Sequence, residues 1–315
     1  MKITGFDYPC MDMNVLCSHM PQKDELTVME DFSLMGGGKV ANAIAAVMRL
    51  GGTAAFIGRV GEDRYGRLCR KDLQDHGVDV ENLKIGKGHT SLCISIVDSL
   101  HRDKHYIESP ATTEPLAEEE IPYGLLKETD YFLLYQFDEI ALKMAAYVRE
   151  HGGKVVADGD GYDDRTQKNL GLIDVFILSE YYYDSLFGDA DYEKNLKLLS
   201  TAGPQIVIVT LGVKGCAGIE NGRFFFTEAY CVEVKDTTGA GDVFHGAFVF
   251  GLSEGMEAKE AASFAASVSA VKCTVLGGRT GIPDRGCVEH YRRTGEISPC
   301  DFAKREQKYR RDAWN

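Results

Sequence analysis

The sequence predicts an α/β fold in which helices cover a mostly parallel sheet and a second, smaller sheet lies beside it. From Tyr131 onward, short apolar runs alternate with helical stretches, an order typical of parallel sheets covered by helices. Before that point, residues 90–97 alternate in character like a strand of an antiparallel sheet. A length of 315 residues suits one large domain or two modest ones, and because no low-complexity linker divides the chain, we expect one domain spanning residues 1–315.

The first half of the chain predicts strands before and after a helix that begins at a run of glycines. Gly36, Gly37 and Gly38 precede a helix over 39–50, whose apolar residues share one stripe. A second amphipathic helix over 64–76 ends at Gly77, a residue suited to a helix stop. The predicted strands are 2–6, a pair at 13–18 and 26–29, 54–57, and antiparallel strands within 83–109.

The second half predicts alternating strands and helices, then a hairpin and two alanine-rich helices. Asn221-Gly222 between two apolar runs is a strong hairpin signal. The charged tail over 301–315 is interpreted as a helix or a frayed end. The predicted strands are 131–135, 154–157, 175–178, 206–210, 215–219 and 223–226; the predicted helices are 140–151, 181–187, 192–201, 240–252 and 258–275.

Charge and cysteine content exclude several classes of partner and site. The formal net charge of −13 repels phosphate backbones and anionic lipids, so no nucleic acid or membrane partner is expected. No apolar run is long enough to cross a bilayer, and the start of the chain lacks the features of a signal peptide. The nine cysteines are odd in number and form no C-x-x-C pair, which favours free thiols and a reducing cytoplasm.

The run Asp236-Thr237-Thr238-Gly239-Ala240-Gly241-Asp242 carries the clearest chemical signal. Small residues at a helix start leave backbone N–H groups open to an anion, which the helix dipole also attracts. Asp242 falls in the first helical turn, where a carboxylate can take a proton from an attacking hydroxyl. Helix capping alone would explain Thr238 or Asp242, but not the whole run.

Two long motifs resemble the signatures of the ribokinase-like (PfkB) carbohydrate kinases. Positions 236–248 read D-T-T-G-A-G-D-V-F-H-G-A-F, and positions 37–43 read G-G-K-V-A-N-A, followed by F-I-G-R-V-G-E-D at 56–63 and Gly66. The resemblance covers nearly the whole chain. It implies a three-layer α/β/α sandwich with a small β lid, which we place at about 13–30 and 83–109. It also implies ATP-dependent phosphorylation of a sugar, with an anion hole at Gly239, Ala240 and Gly241 and a catalytic base at Asp242. The spacing matches neither a Walker A loop nor a dinucleotide fingerprint, because Val40 follows Lys39 and Phe244 replaces the last glycine.

The sugar side is predicted from short polar residues near the first signature. The resemblance places a substrate aspartate at Asp12, whose alternative is a turn residue. Gly37 and Gly38 would let the backbone approach a ligand, and Asn42 can both donate to and accept from a hydroxyl. Glu108 and Gln136 are further candidate contacts, and Lys39 is interpreted as solvated.

The nucleotide side is predicted at a strand end and a helix face. Thr210 and Gly212 resemble the family's T-x-G motif at the nucleotide site. Thr238 of the glycine run is a further candidate nucleotide contact. Ser267 and Ala270 would line the adenine pocket. The resemblance also implies a monovalent cation such as K⁺, held by Asp236 and Thr238.

The magnesium motif departs from the family. Where the family shows N-x-x-E, this chain has Ser179 and Tyr182, so Glu180 is predicted to hold Mg²⁺ through water.

The substrate is predicted from the branch that the chain most resembles. Positions 272–283, K-C-T-V-L-G-G-R-T-G-I-P, are similar to the ketohexokinase and sulfofructose-kinase-like branch, so a neutral ketohexose such as fructose is the first expectation. Tyr8-Pro9-Cys10-Met11-Asp12 is similar to the opening of nucleoside kinases, which leaves a nucleoside as an alternative. A catalytically silent sugar or nucleotide sensor on the same fold is a second alternative. Exposed lid strands often pair between subunits, so a homodimer through the lid is expected.

Overall fold

Thirteen strands and eleven α-helices lie within residues 1–101, 103–298 and 301–314, the part of the chain that the computed structural model describes. The strands, numbered in chain order, are β1 (Lys2–Phe6), β2 (Met11–Cys17), β3 (Met29–Gly36), β4 (Thr53–Gly61), β5 (Leu83–Gly86), β6 (Leu92–Asp98), β7 (Lys104–Ser109), β8 (Tyr131–Leu134), β9 (Lys154–Gly159), β10 (Val175–Ser179), β11 (Ile206–Thr210), β12 (Cys216–Glu220) and β13 (Arg223–Thr227). The helices are α1 (Lys39–Arg49), α2 (Arg64–Asp75), α3 (Tyr123–Lys127), α4 (Glu139–Glu150), α5 (Asp164–Lys168), α6 (Glu180–Leu186), α7 (Tyr192–Ser200), α8 (Ala240–Ser253), α9 (Ala258–Lys272), α10 (Arg285–Thr294) and α11 (Phe302–Trp314).

Nine strands form one large sheet in the order β13-β12-β11-β10-β9-β8-β1-β4-β5. The strands from β11 to β5 are parallel, and β12 and β13 continue the sheet as an antiparallel hairpin. Asn221 and Gly222 turn this hairpin with positive φ angles of 50° and 80°, as the sequence predicted. Parallel strands end at one edge of the sheet, so the loops after β1, β8, β9, β10 and β11 open on the same side.

The two faces of the large sheet bury separate apolar cores. On β10, Val175 and Ile177 pack with α1, α8 and α9, whereas Phe176 and Leu178 pack with α4, α6 and α7. Successive side chains of a strand point to opposite faces, so both faces of this apolar strand are covered. The three-layer α/β/α fold expected from the resemblance is confirmed.

Helices α1 and α8 cross closely, which brings the two signature motifs together. A Cβ built on Gly246 of α8 would lie 2.0 Å from the carbonyl oxygen of Ala43 in α1. Only glycine permits this approach of the two backbones. Asn42 and Asp242 lie beside this crossing, so the crossing sets the distance between them.

Four strands form the small sheet in the order β3-β2-β6-β7. The β2–β3 and β6–β7 pairs are antiparallel, but β2 and β6 are parallel, which the sequence did not predict. We call β2, β3, β6 and β7 the lid sheet. Its second strand is β3 and not 26–29, because Leu34 and Met35 are buried while Leu26 is 88% exposed. Residues 83–86 were also predicted in the lid, but β5 pairs with β4 in the large sheet, where Leu83 joins the core.

The charged tail folds back as α11 onto the body. Tyr309 of α11 is buried, and α11 packs on β3, so the helical alternative for this segment is the observed one; Asn315 lies outside the described residues. None of the helices in the described part of the chain is both long and apolar enough to span a membrane.

The cysteines are mostly free, as predicted. The free thiols are Cys10, Cys17, Cys69, Cys93, Cys216, Cys231 and Cys273. Cys287 is disulfide-bonded, which the sequence did not predict, and Cys300 lies outside the described residues.

Candidate active site

The turn from Gly239 to Asp242 opens helix α8 as the sequence predicted. Gly239 caps the helix with a left-handed backbone (φ 72°), and α8 begins at Ala240. The amides of Gly241 and Asp242 lie in the first turn, where backbone N–H groups have no acceptor within the helix. A Cβ on Gly241 would meet no atom within 4 Å, so this side of the turn is open to a ligand. These features make the turn a suitable anion site.

The Asp242 carboxylate is held by a residue of the other signature motif. The amide nitrogen Nδ2 of Asn42 donates a 2.8 Å hydrogen bond to Oδ2 of Asp242. Asn42 is buried in α1, one turn after Gly37 and Gly38. The two signatures therefore form one site although 200 residues separate these two side chains.

Lys39 belongs to this site and is not simply solvated, which corrects the sequence interpretation. Its ammonium lies 2.5 Å from Oδ2 of Asp160 and 5.0 Å from the centre of the Tyr135 ring. Burial by itself would lower the pKa of Lys39, but the carboxylates of Asp242, Asp158 and Asp160 outweigh burial and raise it. Lys39 therefore stays charged beside the carboxylate that is predicted to act as the base. Its position directly after the glycine run was the only sequence signal for this role.

Asp12 lies at the start of the lid sheet, facing the glycine run. It is 8% exposed, and a Cβ on Gly37 would come within 2.2 Å of its carboxyl carbon. Burial raises the pKa of Asp12 to about 6, although the Cys10 thiol donates to its carboxylate and the Arg279 charge lies nearby. The predicted substrate aspartate is thus a buried carboxyl group in contact with the loop that would receive the sugar.

Glu108 shares a face of the lid sheet with Asp12. Asp12 pairs with Cys93, and Cys93 pairs with Glu108, so the three side chains form one row across β2, β6 and β7. Glu108 is exposed. The row places Glu108 on the same face of the sheet as the predicted substrate aspartate.

Gln136 lies at the carboxyl end of β8 and is exposed. It lines a cavity of about 350 Å³ together with Tyr135, Asp138 and Arg165. Because Lys39 lies over the Tyr135 ring, this cavity adjoins the charged centre of the site.

A separate cavity of about 330 Å³ receives most of the predicted nucleotide residues. Thr210, Gly212, Ala240, Gly241 and Ala270 line it. The cavity extends from the carboxyl end of β11 and one face of α9 to the first turn of α8. A nucleotide bound in it could therefore place its phosphates at that turn.

Two predicted nucleotide residues lie outside this cavity. Ser267 is fully buried, and its hydroxyl donates to the carbonyl of Phe264 in its own helix. The α9 residues that face the cavity are Ala266, Ser269 and Ala270, because packing on α8 fixes the rotation of α9. Thr237, and not Thr238, lines the cavity. The amide and the hydroxyl of Thr238 both donate to the Asp236 carboxylate, which holds Thr238 away from the cavity.

The buried Asp236 carboxylate has hydrogen-bond donors on both oxygens. Thr238 donates twice to Oδ1 at 2.8 Å, and the Gly277 amide donates to Oδ2 at 2.7 Å. The fully buried Lys272 ammonium donates to the Asp236 carbonyl at 3.0 Å, and Lys104 lies 3.7 Å from Oδ1. Burial would raise the pKa of Asp236, but Lys272, the two amides and Lys104 lower it. The ammonium groups of Lys272 and Lys104 thus lie beside the loop that is predicted to hold a monovalent cation.

The predicted magnesium contact is a partly exposed carboxylate. Glu180 begins α6 at the end of β10, and its Oε1 accepts from Lys214 at 2.9 Å. Within the described residues, no group of three or more His, Cys, Asp or Glu side chains could hold a metal ion. A Mg²⁺ ion at a nucleotide keeps several waters and takes only one or two carboxylates beside phosphate oxygens, so the single carboxylate of Glu180 stays a candidate contact.

The sequence of the chain matches a known family. Residues 3–285 match the model of the pfkB family carbohydrate kinases. The chain belongs to this family. It is therefore a carbohydrate kinase, a phosphotransferase that uses an alcohol group of a sugar as acceptor.

Curated relatives cover most of the chain. A ribokinase of Haemophilus influenzae is 27% identical over 266 residues, which are 81% of this chain and 87% of that protein. An aminoimidazole riboside kinase of Salmonella typhimurium is 30% identical over 269 residues, 78% of this chain and 84% of that protein. The pfkB kinases similar to this chain thus differ in acceptor.

Solved structures share the fold over nearly the full length. A ribokinase of Thermotoga maritima has a TM-score of 0.79 and 26% identity, covering 93% of this chain and 99% of its own. An Arabidopsis thaliana ribokinase complexed with ribose and ATP has a TM-score of 0.79 and 24% identity, with coverage of 91% and 97%. A double mutant of Vibrio cholerae fructokinase with fructose, ADP and potassium bound has a TM-score of 0.75 and 23% identity, with coverage of 92% and 97%.

Proposed function

We propose that this pfkB kinase transfers the γ-phosphate of ATP to a primary hydroxyl of a neutral ketohexose such as fructose. One observation carries the proposal: Asp242 lies in the first turn of α8 directly after Gly241, which lines the nucleotide cavity, and its carboxylate accepts from the Asn42 amide. A carboxylate at this point can take the proton of an alcohol whose oxygen attacks a phosphate held by the helix start.

The residues of this chain divide the reaction between them. Asp12 and the Gly37–Gly38 loop would bind and orient the acceptor hydroxyls, and Asp242 would remove the proton of the attacking one. The amides of the α8 turn and the Lys39 ammonium would stabilise the negative charge on the transferring phosphoryl group. Glu180 would hold Mg²⁺ through water, and bound Mg²⁺ supplies charge neutralisation of the phosphates.

A neutral sugar is favoured by the charges around Asp12. Asp12 and Glu108 are both acidic, and the cation that acts on Asp12, the buried Arg279 guanidinium, is already paired with Asp72. A phosphorylated or sulfonated sugar would need unpaired Arg or Lys side chains at this position. A riboside is the second candidate, because a relative with 30% identity is an aminoimidazole riboside kinase. The paired Asn42 and Asp242 argue against a silent sensor, which needs no base.

We further propose a cytoplasmic homodimer that pairs through the lid sheet. Strand β7 forms one edge of this sheet and carries exposed Tyr106 and Ile107, each 58% exposed. An open strand edge with exposed apolar side chains favours pairing with a second copy. Sedimentation that shows only monomer at micromolar concentration would contradict the dimer.

A coupled assay of ADP release over a panel of ketohexoses, aldoses, pentoses and nucleosides tests the function. We expect ADP release with ketohexoses and a loss of about 10² to 10⁴ in kcat for Asp242→Asn, with ATP affinity largely unchanged. Release with ribosides alone would select the second candidate. No release with any compound would favour the sensor, and near-wild-type turnover of Asp242→Asn would remove Asp242 as the base.

A further inference from the structure

The Asp242 carboxylate ends a chain of hydrogen bonds that begins at a buried guanidinium. The Nε of Arg279 donates to Oδ1 of Asn42 at 2.7 Å, and Nδ2 of Asn42 donates to Asp242 at 2.8 Å. Arginine can only donate, whereas an amide side chain can donate or accept. Arg279 therefore holds the oxygen of Asn42 and leaves its NH₂ group facing Asp242.

The same guanidinium also holds the loop of the sugar side. Its Nη2 donates to the carbonyl of Gly37 at 2.9 Å, on the loop that contacts Asp12. A Cβ on Gly36 would lie 2.6 Å from Nη1, so glycine at this position lets the guanidinium reach the loop. Arg279 is completely buried, and it thus joins the side of the base to the side of the acceptor.

Asp72 of α2 holds the Arg279 guanidinium in place by a hydrogen-bonded ion pair. Its Oδ2 accepts from Nη1 of Arg279 at 2.8 Å, and its Oδ1 accepts from Lys308 at 2.7 Å and from the Tyr309 hydroxyl at 3.0 Å. Burial would raise the pKa of Asp72, but His76, Arg279 and Lys308 lower it well below its usual range. Asp72 stays ionised, so helix α11 supports the position of Arg279 through it.

We propose that Arg279 is a positioning residue for phosphoryl transfer. It orients the Asn42 amide, the amide holds Oδ2 of Asp242, and Oδ1 of Asp242 remains able to take the proton of the acceptor hydroxyl. A small displacement of a reacting group lowers a rate steeply, so this support affects kcat more than ATP binding. The inference rests on the proposed function, because it needs Asp242 as the base.

A double-mutant cycle tests the proposal. Asn42→Ala and Arg279→Lys are each made in the wild-type and in the Asp242→Asn background, and kcat and the KM values for ATP and for the accepted sugar are measured. In the wild-type background we expect kcat to fall about 10-fold or more, with the KM for ATP within about 2-fold. In the Asp242→Asn background we expect the fold-loss of kcat to be at least about 5-fold smaller, since the base that they position is absent and only their effects on the acceptor side remain.

The controls separate positioning from folding. Asn42→Ala leaves the Arg279–Asp72 ion pair intact, so it serves if Arg279→Lys does not fold. Asn195→Ala is the matched variant: Asn195 is a buried amide of α7 that donates to Tyr183 and Asp189, and its loss should lower Tm without changing kcat.

Two results would overturn the inference. An equal fold-loss of kcat in both backgrounds would show that Asn42 and Arg279 act on general structure, while the base assignment would stand. Near-wild-type kcat for Asp242→Asn would overturn the proposed base and this inference together.

Discussion

The carboxyl group of Asp12 and the backbone of Gly37 are in direct contact, so closely that any side chain at position 37 would collide with the carboxyl group. A Cβ there would lie 2.2 Å from the carboxyl carbon and from Oδ2 of Asp12. This contact joins the first strand of the lid sheet to the loop before α1. It also gives the most direct way to disturb the acceptor side alone.

Gly37→Ala should weaken acceptor binding. The added methyl group must displace the buried Asp12 carboxylate, so we expect the KM for the sugar to rise about 10-fold or more, with the KM for ATP within about 2-fold. Gly124→Ala is the control, because a Cβ there meets no atom within 4 Å. Equal changes in both KM values for Gly37→Ala would contradict a contact specific to the acceptor.

Acceptor binding should weaken in acid. Burial raises the pKa of Asp12 to about 6, so the carboxylate is ionised above pH 6 and becomes protonated below it. A protonated carboxyl group loses acceptor capacity for sugar hydroxyls, so the KM for the sugar should rise about 10-fold per pH unit below 6. Asp12→Asn should show a high KM with little pH dependence between pH 5 and 8. The same pH dependence in this variant would assign it to another group.

Filling the nucleotide cavity should weaken ATP binding selectively. Ala270 lines the 330 Å³ cavity, whereas Ser267 of the same helix points into packed interior. We expect Ala270→Leu to raise the KM for ATP about 10-fold and to leave the KM for the sugar unchanged. Ser267→Ala should leave the KM for ATP unchanged. A higher KM for ATP in this control would support Ser267 as a nucleotide contact.

Removal of the Lys39 charge should slow turnover. Asp158, Asp160 and Asp242 surround this ammonium, and without it their charges would repel the phosphates of ATP. We expect Lys39→Met to lower kcat/KM for ATP about 10²-fold, with partial recovery in Lys39→Arg. Lys197→Met removes a lysine of an exposed pair with Glu193 and should have no effect. An unchanged kcat/KM for ATP in Lys39→Met would support the interpretation of Lys39 as a solvated side chain.

Parts of the site that depend on short stretches of sequence were predictable. The glycine run before α8 and the place of Asp242 in its first turn follow from local helix geometry. The strand-end position of Thr210 and Gly212 follows from the apolar run before them. The direction of Ser267 did not follow, because an alanine-rich helix such as α9 has no strong stripe to show which face packs on α8.

The sequence by itself determined the α/β layers, the glycine-rich turn that opens α8 and the identity of the acid beside it, because hydrophobic period and helix-start chemistry act over a few residues. The tertiary structure alone decided that Arg279 holds Asn42 against Asp242 and that Lys39 lies among three carboxylates. Arg279 and Asn42 are 237 residues apart, and Lys39 and Asp160 are 121 apart. Pairings over such separations depend on how closely helices cross and where strands end in the sheet, and no local pattern encodes either distance.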